Sequence, residues 1–351
     1  MVVVMNEDVA STNIIFTIRE VTDKTPVITN ADQEESVDIL DLAGSTHTYQ
    51  FTTMLGQVLA RRVMGVSMKA NVIGNFNELL IAEAPAMRSS RQGRTLAESR
   101  LRELTGVNVV GVWEQGRFHL PGPETTIGAS TVLVLAGSEE QLDVYDSIMG
   151  PSGKDREHGG PVVVLGGGRV GMSVARTLAE RGVDYRVVEK KTLKNTDDPR
   201  IIQGSAADLD VLVLAGINET PSIIITTHDD DLNIFLTIYC RRLRPDAQII
   251  SRASLDRNIN TLHRAGANLV MSFSSLFTTT VLNLLNPDKL LMLSEGLNIF
   301  RSKPSPAIVG KALREQKIRH TTGCSIIAIK RGEDMLLNPH PGTVVTQDDE
   351  L

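Results

Sequence analysis

The sequence predicts an α/β protein built twice over, each copy a parallel sheet of alternating strands and helices followed by a smaller α+β unit. Three observations carry this reading. One pattern occurs twice, about 220 residues apart: residues 2–18, 26–29 and 42–44 recur as 223–238, 249–252 and 264–266, aligning Asn13 with Asn233 and Gly44 with Gly266. A repeat of that length marks duplicated domains and not a short-period solenoid. Short apolar runs alternate with helical stretches, as βαβ units with a parallel sheet require. Finally, Val162-Val-Val-Leu runs into the glycine-rich segment Gly166-Gly-Gly168-Arg169-Val170-Gly171, and only the second copy has such a turn.

Taken in order, residues 2–5 suit a buried parallel strand, Asn13 to Val21 a helix, Val27-Ile-Thr a second strand, and Glu34 to Leu42 a second helix stopped by Ala43-Gly44. Another short strand falls near His47, and residues 53–64 make an amphipathic helix. The first copy is expected to start inside its sheet, without a glycine turn or first three strands. From Asn77 the texture changes to strands at 79–83, 107–112 and 131–136 with one helix from Thr95 to Leu104. The same texture returns at 297–300, a helical stretch Ile308 to Arg319, and a strand 324–329, matching Leu96 to Leu313 and Gly106 to Gly323. This second small unit is expected to lack its last strand. The run 150–161, rich in Gly, Pro and charge, reads as a linker. The expected divisions are therefore 1–65, 66–149, the linker 150–161, 162–285 and 286–351.

The 351 residues carry 36 Lys and Arg against 42 Asp and Glu, a net charge of -6 with both signs interspersed, which argues against a broad nucleic-acid footprint. Cys240 and Cys324 lie far apart in apolar settings and read as buried thiols of a reducing compartment. Neither histidine nor cysteine spacing suits zinc, so no metal ligands are assigned. There is no apolar run of about 18 residues and no signal-peptide pattern, which predicts a cytoplasmic chain. A membrane segment upstream stays open.

The glycine turn follows an apolar strand and opens a helix, Val174 to Arg181, which is the context a dinucleotide fingerprint needs. Gly166 permits the tight turn, Gly168 lets a pyrophosphate approach the backbone, and Gly171 lets helix and strand pack. The helix N-terminus offers N–H groups and partial positive charge to phosphate. Glu189 ends the next strand, where a carboxylate accepts ribose hydroxyls and favours NAD or a plain adenine nucleotide over NADP, although Lys190 and Lys191 offer partners to an extra phosphate. Asp208 is a candidate at the adenine edge and equally a helix N-cap. The run His228-Asp229-Asp230-Asp231 is a cap, a pocket wall or a cation site. Arg252 ends the fifth strand, where it reaches a phosphate or pairs with Asp256. A dehydrogenase needs a proton-transfer residue and a sizeable substrate domain. His228 and His263 have no partner pattern, which favours ligand sensing over catalysis.

The stretches 162–171, 229–243, 249–253 and 263–268, with Val309-Gly-Lys-Ala-Leu and Thr322-Gly-Cys-Ser-Ile-Ile-Ala-Ile, resemble tandem RCK (TrkA-N/TrkA-C) regulatory domains of potassium transport, over nearly the whole chain outside 150–161. The resemblance implies Rossmann-like subdomains each followed by a TrkA-C-like subdomain, no enzymatic activity, and a cytoplasmic gating assembly formed by RCK dimers in a ring under a potassium channel pore. A soluble subunit docking on a separate transporter is the alternative, and an NAD-dependent oxidoreductase a distant third. It also implies that Gly166, Gly168, Arg169, Val170, Gly171, Glu189, Asp208 and Arg252 line an NAD, ADP or ATP site, with Asp229 or Asp230 at its mouth. Calcium stays unassigned, with Glu7, Asp8 and 229–231 as the carboxylates available. Ser205 stands where the family carries an acidic residue after Gly204.

Overall fold

The computed structural model describes residues 1–351 except 64–69, 77, 87–88, 115–116, 129–130, 150–159, 193–197, 286–289 and 295–296; the expected linker thus lies outside the described residues up to position 159. The chain opens with β1 (Val2–Val4), α1 (Asp8–Val21), β2 (Val27–Asn30), α2 (Val37–Leu42), β3 (His47–Tyr49) and α3 (Phe51–Arg61), and its strands form a parallel sheet in the order β1-β2-β3. The helix expected from Asn13 begins five residues earlier, at Asp8, because the acidic residues there favour a helix N-terminus.

Next come β4 (Asn71–Phe76), β5 (Leu79–Pro85), α4 (Leu96–Ser99), α5 (Leu101–Thr105), β6 (Asn108–Glu114), β7 (Arg117–His119), β8 (Thr131–Gly137) and α6 (Glu139–Met149). Here the sheet is antiparallel, in the order β4-β5-β8-β6-β7. The single helix expected over 95–104 is two, broken where Arg100 takes a φ of 51°. A capping box between Thr95 and Glu98 starts the first.

The third body comprises β9 (Val162–Leu165), α7 (Arg169–Glu180), β10 (Tyr185–Glu189), β11 (Ile201–Gln203), α8 (Leu209–Leu214), β12 (Ser222–Ile225), α9 (Asp230–Leu243), β13 (Gln248–Ala253), α10 (Ile259–Ala265), β14 (Leu269–Ser272) and α11 (Phe273–Leu285). Its six strands are parallel in the order β11-β10-β9-β12-β13-β14, the doubly wound arrangement whose crevice opens at the ends of β9 and β12. Central strands β9 and β12 are buried throughout, as a sheet covered on both faces demands. Last come β15 (Leu290–Ser294), β16 (Leu297–Phe300), α12 (Ile318–Thr322), β17 (Ala328–Arg331) and β18 (Asp334–Leu337), paired as two hairpins. The helical stretch expected from Ile308 to Arg319 is a single 3-10 turn at Leu313–Glu315 followed by α12.

Matching side-chain roles give the repeat its true register. The Asp8 carboxylate accepts from the backbone N–H of Asp32 and Gln33, and the Asp230 carboxylate does the same for Ser254 and Leu255. Arg19 Nε donates to the Gly44 carbonyl, and Arg241 Nε to that of Gly266. The spacing is 222 throughout, so the equivalent of Asn233 is Ser11, buried like it, and not Asn13 as the sequence alignment had it.

Helix α3 of the first copy covers the second sheet. Leu55, Leu59, Ala60 and Val63 share one core with Val162, Val164, Val170, Val174 and Leu178. Gly56 allows this close approach, since a Cβ there would lie 2.5 Å from the Ser173 Cβ, and Ser173 Oγ donates to the Thr53 carbonyl at 2.8 Å. Its counterpart α11 buries no residue and meets α3 through edge-on rings, Phe51 with Phe273 and Phe277 at 6.0 and 5.2 Å.

The small units clasp each other reciprocally. Arg102 donates to the Asn338 and Pro339 carbonyls, its counterpart Arg319 donates to that of Pro121, and Leu297 joins Leu79, Ile81, Val110, Val134 and Ala136 in a shared core.

Candidate functional site

Strand β9 delivers the chain to the turn, and Gly166 makes it with a φ of 107° that side-chain-bearing residues rarely adopt. Thr226, at the end of β12, locks the turn by donating to the carbonyls of Leu165 and Gly166 at 3.2 and 2.8 Å. Gly168 is the N-cap of α7 in extended backbone, and a Cβ added to it would meet nothing within 4 Å. The seat in front of the helix N-terminus is therefore open to a phosphate. Gly171 is the opposite case. A Cβ there would fall 1.8 Å from the Gly166 carbonyl oxygen, a backbone atom with nowhere to go. Gly171→Ala is expected to lower the melting temperature by about 2–10 °C, as an overpacked core position costs some 1–3 kcal/mol, and a thermal melt checks it.

Glu189 holds the turn from the other side. Its carboxylate accepts from the Gly167 N–H at 2.6 Å and from the Lys191 N–H at 2.9 Å. Four lone-pair positions on a carboxylate leave acceptor capacity for ribose hydroxyls. Arg252 stands at the end of β13 with Nε buried and without a hydrogen-bond partner. Burial pushes its guanidinium pKa down, the charge of Asp230 opposes that, and the charge of Arg169 adds to it. Asp256, the alternative partner to a phosphate, instead accepts from Ser272 Oγ. A buried unpartnered donor near enough to Arg169 to feel its charge, together with an open helix N-terminus, is chemistry that suits an anionic ligand such as a phosphate.

The other expected site residues are placed as follows. Val170 lies in the core beneath α3. Asp208 is exposed and caps α8 through the Asp210 N–H at 3.0 Å. Asp229 caps α9, accepting from Asp231 and Leu232 at 3.0 and 3.3 Å. Asp230 clamps the loop after β13, taking a further bond from Asn258 Nδ2 at 2.8 Å. Among the described residues no three His, Cys, Asp or Glu side chains gather as a metal site. His263 is buried, with Nδ1 3.0 Å from the Ala267 carbonyl at the end of α10. Cys240 is buried, which pushes its thiol up to about 12, whereas Cys324 is exposed, contrary to the expectation of two buried thiols.

Burial raises the Asp230 carboxyl, but the bonds from Asn258, Ser254 and Leu255 outweigh it and hold the group below its ordinary value. Asp8 is held down in the same way by Asp32, Ser36 and Gln33. A carboxyl depressed in the folded state stabilises fully above its unfolded pKa of about 3.9 and loses that contribution as pH falls through the folded value. Melting temperature is accordingly expected to drop below about pH 4, and Asp230→Asn to flatten the drop; equal slopes in both proteins would sink the assignment.

Arg169, first residue of α7, reaches out of its own sheet. It makes an ion pair with Asp32 at 2.9 Å and donates to the Asp32 carbonyl at 3.1 Å, joining the turn to the loop after β2 in the first copy. Sequence inspection found Arg169 but not Asp32, Thr226 or the Asp8 and Asp230 clamps. The recurrence of an aspartate at the 222 spacing, Asp8 to Asp230, signals the two clamps, while Asp32 and Thr226 align with Ser254 and Val4 and carry no such signal.

Two family descriptions match the chain: the TrkA-N domain over residues 162–273, and the TrkA-C domain over 92–150 and again over 299–351. Among solved structures, that of the GsuK RCK domain superimposes with a TM-score of 0.68 at 32% identity, over 99% of this chain and 76% of that one. The chain belongs to the RCK domain family. A second structure, the GsuK channel bound to NAD, matches this RCK chain at 32% identity and a TM-score of 0.67, over 99% of this chain and 63% of that one. Curated relatives include Potassium channel protein 1 of Methanocaldococcus jannaschii, 25% identical over 53% of this chain and 60% of its own length. Another is a Trk system potassium uptake protein TrkA homolog of Archaeoglobus fulgidus, 21% identical over 83% of this chain and 67% of its length. The RCK chain thus spans less than two thirds of the first of these relatives. No helix among its described residues is long and apolar enough to cross a membrane.

Proposed function

We propose that this RCK chain is a cytoplasmic, non-enzymatic sensor of NAD or an adenine nucleotide that gates potassium flux through a membrane pore. The observation that carries the reading is the Arg169–Asp32 tie. It joins the one glycine turn directly to the other copy of the repeat, so an anion seated at Gly168 acts on both. The pair is half-exposed, at 52% and 34%, and such pairs are worth about 0–1 kcal/mol. A diphosphate at the helix N-terminus competes for Arg169 on equal terms and biases how α7 packs on α3. Gly166, Gly168, Arg169 and Arg252 hold the phosphates, Val170 and Gly171 back the turn, and Glu189 takes the ribose. Asp208 and the Asp229 and Asp230 corner border the base and the mouth. When bound, the nucleotide supplies negative charge and a rigid bridge across the crevice. The route onward runs through α3 and α11 toward a partner subunit in an RCK dimer or ring. His263, one of the two histidines weighed as a proton-transfer group, is buried and held against the Ala267 carbonyl, which supports the sensing reading.

The name of the NAD-bound neighbour supports NAD as first ligand, and that of an ADP-bound GsuK structure supports trying ADP beside it. The Trk uptake relatives favour the second reading, a subunit that docks on a separate transporter. Calorimetric titration with NAD, ADP and ATP is expected to give saturable binding. Potassium efflux from vesicles holding a pore joined to, or mixed with, this chain is expected to change with nucleotide. No binding by any of the three would sink the sensor, and binding without altered flux would sink the gate.

A further inference from the structure

The loop after β2 brings acid to the front of the glycine turn. Asp32 is fixed there by its neighbours: its N–H donates to the Asp8 carboxylate at 2.7 Å, its own carboxylate accepts from Asn30 Nδ2 at 3.1 Å, and its carbonyl accepts from Arg169 at 3.1 Å. The carboxylate also pairs with Arg169, the first residue of α7, at 2.9 Å. Two residues on, Glu34 meets Arg176 of the same helix at 3.7 Å. Asp8 lies near enough to Arg169 for the two charges to attract.

The repeat shows that the loop needs no carboxylate at this place. The equivalent of Asp32 is Ser254, whose N–H is clamped by Asp230 as that of Asp32 is by Asp8. Ser254 carries no charge, and its hydroxyl donates to the His228 carbonyl. The clamp is thus common to both copies, while the charge belongs to the loop that meets the glycine turn. Asp8 and Asp32 act on Arg169, and Asp230 acts on Arg252, so three carboxylates already draw on two guanidinium groups. The arginines cannot neutralise these carboxylates and a highly charged ligand together.

We propose that Asp32 is a specificity-determining residue, contributed by the first copy, that selects nucleotide diphosphates over triphosphates by charge repulsion. A diphosphate seated at Gly168 is met by the N–H groups of α7 and by the arginines. A third phosphate brings further negative charge to the end of the ligand that Arg169 reaches. As Arg169 turns to it, Asp32 loses its cation and faces the ligand as a like charge. The cost grows with the charge that arrives, so the selection needs no contact with base or ribose. The inference rests on the nucleotide site proposed above and names the class of nucleotide that the site takes.

Calorimetric titration with ADP and ATP tests this, since the two ligands differ only in the third phosphate; divalent cations are left out because they mask its charge. At low salt ADP is expected to bind at least about tenfold more tightly than ATP, and the ratio to shrink at about 0.5 M salt, where the charges are screened. Asp32→Asn keeps acceptors for Asn30 and Arg169, so the melting temperature is expected to hold within about 2 °C while the ratio falls to about threefold or less. Asp32→Glu is expected to keep the ratio, and so is Glu103→Gln, which removes an exposed charge from the first small unit. Equal affinities in the parent, an undiminished ratio in folded Asp32→Asn, or a ratio indifferent to salt would each overturn the inference. Failure of both ligands to bind would instead remove the nucleotide site itself, and the selection with it.

Discussion

In Gly168→Asp, NAD and ADP are expected to bind at least about 30-fold more weakly, a loss of some 2 kcal/mol, while the melting temperature stays within about 2 °C of the parent. The two halves of this expectation rest on different observations. Stability is spared because the Gly168 backbone is extended and a Cβ there touches nothing within 4 Å. Affinity is lost because the new carboxylate takes the seat in front of α7 that a phosphate would hold, and puts like charges together. Calorimetry and a thermal melt on the same preparation decide the matter. Unchanged affinity in a folded variant would move the nucleotide away from this turn. Gly171→Ala is the informative contrast, since there the backbone itself is in the way and stability falls first.

Arg62→Met is expected to destabilise the protein by about 3–5 kcal/mol, because it strands a buried carboxylate. Arg62 follows α3, and its guanidinium meets Glu83 on β5 at 2.6 Å, with side chains only 7% and 6% exposed. Its carbonyl accepts from Gln248 Nε2 on β13 at 3.0 Å, and its guanidinium also touches Met271 Sδ on β14. One residue thereby ties the covering helix to the first small unit and to the second sheet. Urea midpoints are expected to drop sharply in Arg62→Met and to recover in Arg62→Met with Glu83→Leu, where neither charge remains. A double variant as unstable as the single one would show that packing of the arginine stem, and not the stranded charge, sets the cost.

Much of the nucleotide site was legible because its chemistry is local. A strand, three glycines at fixed spacing and a helix start lie within ten consecutive residues, and each glycine answers to a constraint set by its immediate neighbours. Asp208 and Asp229 were less decidable. A helix N-cap and a ligand contact ask for the same residue type at the same place, and only the coordinates show both carboxylates capping α8 and α9. The helix limits around Asp8, Arg100 and Ile308 differ from those periodicity predicts because short helices are decided by caps and tertiary contacts more than by periodicity.

By itself, then, the sequence determined the duplication, the alternation that makes two parallel sheets, the two small α+β units and the single glycine turn. All of these are encoded in periodicity and in residues whose backbone demands are local. Tertiary structure decided the 222-residue register, the covering of the second sheet by the first copy's α3, and the reach of Arg169 to Asp32. Those depend on which surfaces meet across more than a hundred residues, and burial and charge pairing at that range leave no period in the chain.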